Sequence, residues 1–300
     1  MKEVYHIPVM PEQSVEGLGL FAGAIVVDAT YGGGGHSRLI LEKIGNGKLF
    51  AFDQDKDTVA NLIDDKRLVF IRHNFRYMKN FLRYYDTAEV DAIMADLGVS
   101  SHDFDSPDRG FSFRFDEKLD MRMNLNSNTD AGYIINNYSE EELNVIFREY
   151  GEIKNSGRLV TEISKYRKEK PIKTTGQLKE IALKCTPAAV SNKYLAKVFQ
   201  ALRIEVNDEM GALKEFLASS LDLLRPGGRL VVITYHSLED RLCKNFIKSG
   251  NFEGIIEKDF FGNQKNPFRL INRKVIVPDK AEAGINKRAR SAKLRIAEKI

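Results

Sequence analysis

Apolar and polar positions come in blocks whose period changes along the chain. Residues 25–29 (IVVDA), 48–53 (KLFAFD), 67–72 (RLVFIR) and 90–97 (VDAIMADL) are short apolar runs that read as buried strands. Between them, 37–44 (SRLILEKI), 56–63 (KDTVANLI) and 75–85 (FRYMKNFLRYY) carry helical spacing. Strand–helix alternation with short turns predicts right-handed crossovers and a parallel sheet. The rhythm stops after residue 97. Residues 102–130 are polar and irregular, and helical segments follow at 139–151, 156–170, 174–185 and 192–204 with no convincing strand between them. Ser139 with Glu142, and Thr174 with Gln177, are spaced as capping boxes, and Pro171 stops the second segment. The alternation then resumes. An amphipathic helix over 208–224 meets a stop and turn at Arg225-Pro226-Gly227-Gly228, a strand covers 229–237 (RLVVITYHS), and a helix covers 237–249 with Ser237 and Asp240 near its start. RKVIV (273–277) and AKLRIAE (292–298) are expected to close the chain as an antiparallel hairpin around a basic loop. The fold class expected is α/β: a Rossmann-like sheet, discontinuous over 1–104 and 205–300, interrupted by an all-helical insertion over 105–204.

The stretch Asp28–His36, DATYGGGGH, places four glycines between the first strand and the first helix. Glycines there let a ligand approach the backbone closely. The dinucleotide fingerprint needs G-x-G-x-x-G, and Gly32 to Gly35 is too short a run to supply it. Asp28, at the strand end, opposes a pyrophosphate and favours a cationic or donor-rich ligand. S-adenosylmethionine, with a sulfonium, an ammonium and no phosphate, fits. Asp28, Thr30, Gly32 and Gly34 follow the acid-then-small spacing of such loops, with Thr30 in place of the first glycine. Asp53 closes the second strand, where a carboxylate can accept from both ribose hydroxyls; dinucleotide enzymes share that feature. LLRPGGRLVVIT matches the fifth strand unit of methyltransferases that use this cofactor. A nicotinamide enzyme, or a glycine turn with two exposed acids, remains the alternative.

In parallel sheets ligands bind beyond the carboxyl ends of the strands, so Asp96, Ser100, Ser101 and Asp103 are expected to face the same crevice. An exocyclic amine is a poor nucleophile because its lone pair is delocalised. Asp96, or a backbone carbonyl, can hold its N–H and aim the lone pair. Asp96 can equally be a strand-end acid bonded to nearby backbone. Phe75, after Asn74, is a candidate to pack on adenine or is a core residue. His36 contacts the cofactor's carboxylate or caps the turn, and His236 is a substrate-side catalytic candidate or part of a polar turn. The five histidines are scattered without zinc spacing, and no metal site is expected. No G-x-S-x-G or Walker A pattern occurs.

Composition narrows the setting. The 300 residues suggest two domains, or one large domain with an insertion, and 43% apolar residues suffice for a sizeable core. No apolar run approaches the roughly 20 residues of a membrane span, and the N-terminus lacks a signal-peptide apolar region. Cys185 and Cys243 are expected as buried free thiols in a reducing cytoplasm. The net charge of +4 is modest, but INKRARSAKLRIAEK (285–299) concentrates base near the end.

HIPVM (6–10), DATYGGGGHSRLIL (28–41), DLGVSS (96–101), RGFSF (109–113), LDMRM (119–123), FQALRI-x-VN-x-E (199–209), LLRPGGRL (223–230), HSLEDR (236–241) and RARSAKLR (288–295) occur in that order. Together they closely resemble the bacterial 16S rRNA cytosine-N4 methyltransferases, the RsmH (MraW) family, over about residues 6 to 298. The resemblance implies S-adenosylmethionine as cofactor and direct in-line methylation of a cytidine N4 in the decoding region of 16S rRNA (family target cytidine 1402). It also implies the small ribosomal subunit as partner, the bacterial cytoplasm as setting and a helical domain for substrate recognition. The family's cofactor contacts carry over to Gly34, Gly35, His36, Asp53, Phe75 and Asp96, with Gly32 in the same loop. The family's glutamine in a Ser-Ser-Pro-Gln run is replaced here by Asp103, which accepts but does not donate as an amide does. An RNA substrate gives Arg109, Arg288 and Arg290 a role as phosphate contacts. RGFSFRF (109–115) is a candidate to stack on a splayed base, or else a hydrophobic clasp between domains. A catalytically silent assembly factor that keeps the fold to grip RNA is the non-enzymatic alternative. The oligomeric state is left open, a homodimer included.

Overall fold

A computed structural model describes residues 8–98, 109–262, 264, 266–272 and 274–300, with the side chains of Asp57, Lys287 and Arg288 outside that description. The chain divides into two compact units, Met1–Gly98 with Met210–Ile300, and Val99–Glu209. The division falls a few residues outside the 105–204 expected from the sequence. The reason at the second boundary is local: Asp208 adopts φ 46° and ends the helix Ser191–Asn207, and the next helix, Glu209–Leu223, starts at once.

The first unit holds a seven-stranded sheet in the order β3-β2-β1-β4-β5-β7-β6. Its strands are β1 (Ile25–Asp28), β2 (Lys48–Phe52), β3 (Leu68–Ile71), β4 (Val90–Asp96), β5 (Leu224–Thr234), β6 (Phe268–Leu270) and β7 (Lys293–Lys299). The first five run parallel, while β7 pairs antiparallel with both β5 and β6. This is a Rossmann-like α/β sheet, and its order reverses between β1 and β4, where such sheets open a ligand crevice. Successive strand residues point to opposite faces. Val27, Phe50, Phe52, Leu230 and Val232 enter one core, and Val26, Leu49, Val231 and Ile233 the other.

Three expected elements differ. The described residues of RKVIV, 274–277, do not form a strand: Ile276 makes one isolated bridge to Leu294, and the outer strand beside β7 is Phe268–Leu270. The expected basic loop contains a helix, Lys280–Ile285, and a 3-10 turn, Lys287–Ser291. The segment read as a helix over 56–63 is a 3-10 stretch, Lys56–Asn61.

The second unit packs helices Ala131–Asn137, Glu140–Glu149, Ser156–Glu169, Thr175–Leu183 and Ser191–Asn207 around Phe147, Leu159, Ile163, Leu178, Leu195 and Leu202. Both anticipated capping boxes form, Ser139 with Glu142 and Thr174 with Gln177. Cys185 and Cys243 are free and buried.

Candidate active site

Every crevice residue described below belongs to the first unit. The glycine loop leaves β1 through Asp28, whose carboxylate is 1% exposed and turned inward. Its Oδ2 accepts from the Ser37 hydroxyl (2.6 Å) and its Oδ1 from the Thr30 N–H (3.1 Å). Burial raises its pKa against those two bonds. Asp28 therefore builds the loop rather than lining the site, and it is not the exposed acid of the glycine-turn alternative. It acts on the crevice only through its field.

Several loop amides are engaged within the fold. Tyr31 N–H donates to Phe52 O (2.8 Å), Gly34 N–H to Tyr31 O (2.8 Å), and Gly32 N–H to Asp53 Oδ2 (2.8 Å). Gly34 has φ 74°, and a Cβ there would stand 2.7 Å from the Tyr31 hydroxyl; at Gly35 it would meet Pro8 Cγ at 2.9 Å. At Gly32 (φ 53°) a Cβ would meet nothing within 4 Å, so this glycine faces open space. Tyr31 is buried beneath the loop and staples it to the next segment, donating to Asn61 O (2.9 Å) and accepting from Ile63 N–H (3.0 Å).

Asp53 follows β2 and is partly buried. Its Oδ1 accepts from Asp55 N–H (2.9 Å) and its Oδ2 from Gly32 N–H, leaving lone pairs on both oxygens. Burial pushes its pKa up to about 6, the two amide bonds pull it back, and the charges of Asp55 and Asp28 add to the rise.

Asp96 ends β4. Its N–H donates to Thr30 Oγ1 (2.7 Å), and its Oδ1 accepts from the Tyr235 hydroxyl (2.7 Å). Burial raises its pKa to about 7; the Tyr235 bond lowers it, and Asp28, Glu239 and Glu282 raise it further. His36 lies beside it, Nδ1 4.0 Å from Asp96 Oδ2. Since Val9 O lies 3.0 Å from Nε2 and only accepts, Nε2 carries the proton and Nδ1 is a lone pair. Burial lowers the His36 pKa to about 4, so the ring is neutral at physiological pH.

Phe75 is half-buried and packs edge-on against Phe216 (5.4 Å). Asn74 caps its turn, accepting from Arg76 N–H (3.0 Å). His236 sits at the N-cap of helix Ser237–Ser249, its Nδ1 accepting from Glu239 N–H and its Nε2 3.1 Å from Glu239 Oε1. Its Nδ1 is thus engaged with its own helix, while the buried Nε2 makes no hydrogen bond among the described residues. Of Ser237 and Asp240, the two residues noted near the helix start, Asp240 pairs with Lys293 (3.0 Å) and Arg295 (2.8 Å) on β7.

The loop and strand ends thus bring together Gly32, Gly34, Gly35, His36, Asp53 and Asp96. Asp103, Ser100 and Ser101 lie outside the described residues, as does the side chain of Arg288. In the second unit Arg109 Nη2 donates to Arg122 O (3.0 Å) and Met123 O (3.3 Å), so this guanidinium ties its own loop together rather than standing free for RNA. Phe111 and Phe113 enter that unit's core, while Phe115 is exposed. Arg290 is exposed, with one Nε–H bond to Ala283 O (3.3 Å).

Two features escaped sequence reasoning. Tyr235 carries no motif of its own, and its bond to Asp96 joins residues 139 apart. The second is charge. Between residues 154 and 197 eleven Lys or Arg stand against three Asp or Glu, a local net charge of +8 in a chain whose total is +4. Counting charge by segment would have found it. Arg158, Lys165, Lys168, Lys170, Lys173, Lys184 and Lys193 are all exposed there.

Residues 3–300 match the model of the MraW methylase family. Among curated proteins, "Ribosomal RNA small subunit methyltransferase H" of Parabacteroides distasonis is 58% identical over 99% of this chain and 98% of its own length. The protein of the same name from Bacteroides thetaiotaomicron is 57% identical over 98% of this chain and 97% of its own. Among solved structures, an rRNA methylase from Streptococcus thermophilus superposes with a TM-score of 0.45 at 13% identity, covering 98% of this chain and 99% of that one.

Proposed function

The chain belongs to the MraW methylase family, and from that premise we propose that it methylates ribosomal RNA of the small subunit, with S-adenosylmethionine as cofactor and the N4 amine of a cytidine as acceptor. The observation that carries the cofactor is the sign of the crevice. Asp28, Asp53, Asp55 and Asp96 gather near the loop; the charges of Asp28 and Asp55 raise the pKa of Asp53, those of Asp28, Glu239 and Glu282 raise that of Asp96, and His36 is neutral. The N–H groups of Thr30, Tyr31, Gly32 and Gly34 are engaged by protein acceptors. A pyrophosphate therefore meets carboxylates, whereas a cationic ligand meets a favourable field. The residues fit the cofactor: Gly32 leaves open space for it, Asp53 keeps lone pairs for ribose hydroxyls, and Phe75 offers a half-buried ring. When bound, S-adenosylmethionine supplies an electrophilic methyl group on a charged sulfur.

The protein's own task is to hold the acceptor amine and take its proton. Asp96 serves at the end of β4. A carboxyl poised near pH 7 is both ionised enough to accept and basic enough to hold a proton. The choice of N4 rests on the motif resemblance; its chemical support is an amine whose N–H needs an acceptor, which Asp96 provides.

The RNA reading draws on the second unit. Phosphate backbone binds clustered, solvent-exposed Lys and Arg, and the segment 154–197 presents them. Among the described residues no helix is long and apolar enough to cross a membrane. The test is incubation of the protein with methyl-labelled S-adenosylmethionine and unmodified small subunits, followed by mass-spectrometric mapping of the product nucleotide. A labelled N4-methylcytidine is expected. Label at another base or position overturns the N4 assignment, and no label on RNA overturns the activity.

A further inference from the structure

The ends of β4 and β5 are joined at the crevice by one side chain. Tyr235 is the first residue after β5, and its backbone N–H donates to Glu239 Oε2 (2.8 Å), fixing it at the head of the next helix. Its ring lies on Gly98, where a Cβ would come 3.0 Å from Tyr235 Cδ2; Gly98 has φ 111°, so only glycine readily lets the ring pass. The hydroxyl ends on Asp96 Oδ1 at 2.7 Å. We propose that Tyr235 is a positioning residue for methyl transfer, clamping Asp96 Oδ1 so that Oδ2 receives the proton of the attacking amine. The proposal rests on the role given to Asp96 above.

The surroundings give the clamp two jobs. Asp28 on β1, Glu239 on helix Ser237–Ser249 and Glu282 on helix Lys280–Ile285 are acids whose charge disfavours a carboxylate at Asp96. His36 cannot offset them, because its Nδ1 is an unprotonated nitrogen 4.0 Å from Oδ2 and its Nε2–H is held by Val9 O. Among the described residues, Tyr235 is then the one hydrogen-bond donor to the Asp96 carboxylate. A donated hydrogen bond to an ionised oxygen favours the ionised form. The Tyr235 hydroxyl does not compete as an acid, since burial and Asp96 raise its own pKa well above the ordinary value. The second job is geometric: with Oδ1 fixed, the carboxyl plane is fixed. When the N4–CH3 bond forms and the S–CH3 bond breaks, the electron pair stays with sulfur and the displaced N4 proton goes to Oδ2.

The test is Tyr235→Phe, which keeps the ring on Gly98 and removes only the O–H. Three readouts separate positioning from scaffolding. Single-turnover methylation of small subunits is measured against pH. S-adenosylmethionine affinity is measured by calorimetry. The carboxylic-acid stretch of Asp96, identified by its absence in Asp96→Asn, is followed by infrared spectroscopy in the cofactor-free protein. Losing one donor to a carboxylate moves its titration upward by about one to two pH units. The infrared midpoint and the rising limb of the rate profile are both expected to shift by that amount. The rate should fall roughly tenfold near pH 7, recover at high pH, and leave cofactor affinity within about threefold. An unmoved infrared midpoint overturns the proposal even if the variant is inactive, and so does a loss confined to cofactor affinity. Asp96→Asn separates the two readings. If it retains the native rate, the role of Asp96 fails. If it loses the rate while Tyr235→Phe keeps the native profile, only the clamp fails.

Discussion

Replacing Asp53 with Asn should leave the protein about as stable as before while costing most of its cofactor affinity. Burial lifts this carboxyl from 3.8 to about 6, so charging it in the folded crevice costs about 3 kcal/mol, at about 1.4 kcal/mol per pH unit. The amide carries no charge and removes that cost. It also turns one acceptor into an NH2 group facing either Gly32 N–H or Asp55 N–H, and a buried donor left unpaired costs about 1–3 kcal/mol. The two effects nearly cancel above pH 6. The sign with pH follows from the raised value: the native carboxyl contributes stability below 3.8 that is lost as pH rises through about 6, and Asp53→Asn should lack that slope. Cofactor binding behaves differently. Hydroxyl donors to an ionised carboxylate are worth about 1.5–3 kcal/mol, so the dissociation constant should rise by about ten- to a hundredfold. Native affinity should also weaken as pH falls below about 6, a limb absent from the variant. Calorimetry with S-adenosylmethionine and thermal melts across pH 5 to 8 measure all of this. Unchanged affinity in a well-folded variant refutes the ribose anchor. A loss of stability well above 3 kcal/mol refutes the balance of burial against hydrogen bonding.

The glycines make a paired prediction. Alanine at Gly32 or Gly34 costs about 1–2 kcal/mol for its positive φ, but only Gly34→Ala also drives a methyl to 2.7 Å from a hydroxyl pinned by Asn61 and Ile63. Gly34→Ala should therefore melt several degrees lower than Gly32→Ala, whose main effect is on cofactor affinity; equal melting temperatures contradict the account of Tyr31 as a staple. For RNA, changing Lys168, Lys170 and Lys173 together to Gln should weaken small-subunit binding and flatten its salt dependence by roughly 0.7–0.9 for each phosphate no longer neutralised, and more than Arg290→Gln does. A filter-binding salt series with an unaltered slope removes that segment as a phosphate surface.

What the sequence made legible, and what it hid, divides along physical lines. β1, β2 and β4 announce themselves because both faces are buried, so each is a dense apolar run such as IVVD or KLFAF. β6 hides because only Phe268 of its three residues is buried, while the more apolar RKVIV contributes one bridge through Ile276. Capping boxes at Ser139 and Thr174 depend on residues three apart and read directly. The capping histidine at 236 does not, because imidazole is an uncommon cap and Ser237 offers an easier one. Asp28 shows the deeper difficulty. A strand-end acid next to a glycine loop can face the ligand or the loop, and the choice is made by Ser37, one turn into the next helix. Asp53 and Asp96 stand at strand ends as expected, yet their raised pKa values and the Tyr235 contact depend on which residues the parallel sheet sets side by side.

Charge is distributed so that the two ligands need different fields. With +8 confined to residues 154–197, the remaining chain carries a net −4, and the crevice at the ends of β1, β2 and β4 holds clustered carboxylates. A negative crevice draws in a cationic cofactor but repels the phosphates that flank any target nucleotide. RNA affinity must then be supplied by surface elsewhere, and the exposed lysines of the helical unit have the sign and number to do so. Under the proposed roles the two affinities should respond independently to salt: attraction of exposed lysines for RNA is screened at a Debye length of about 8 Å, whereas the partly buried carboxylates of the crevice are screened far less.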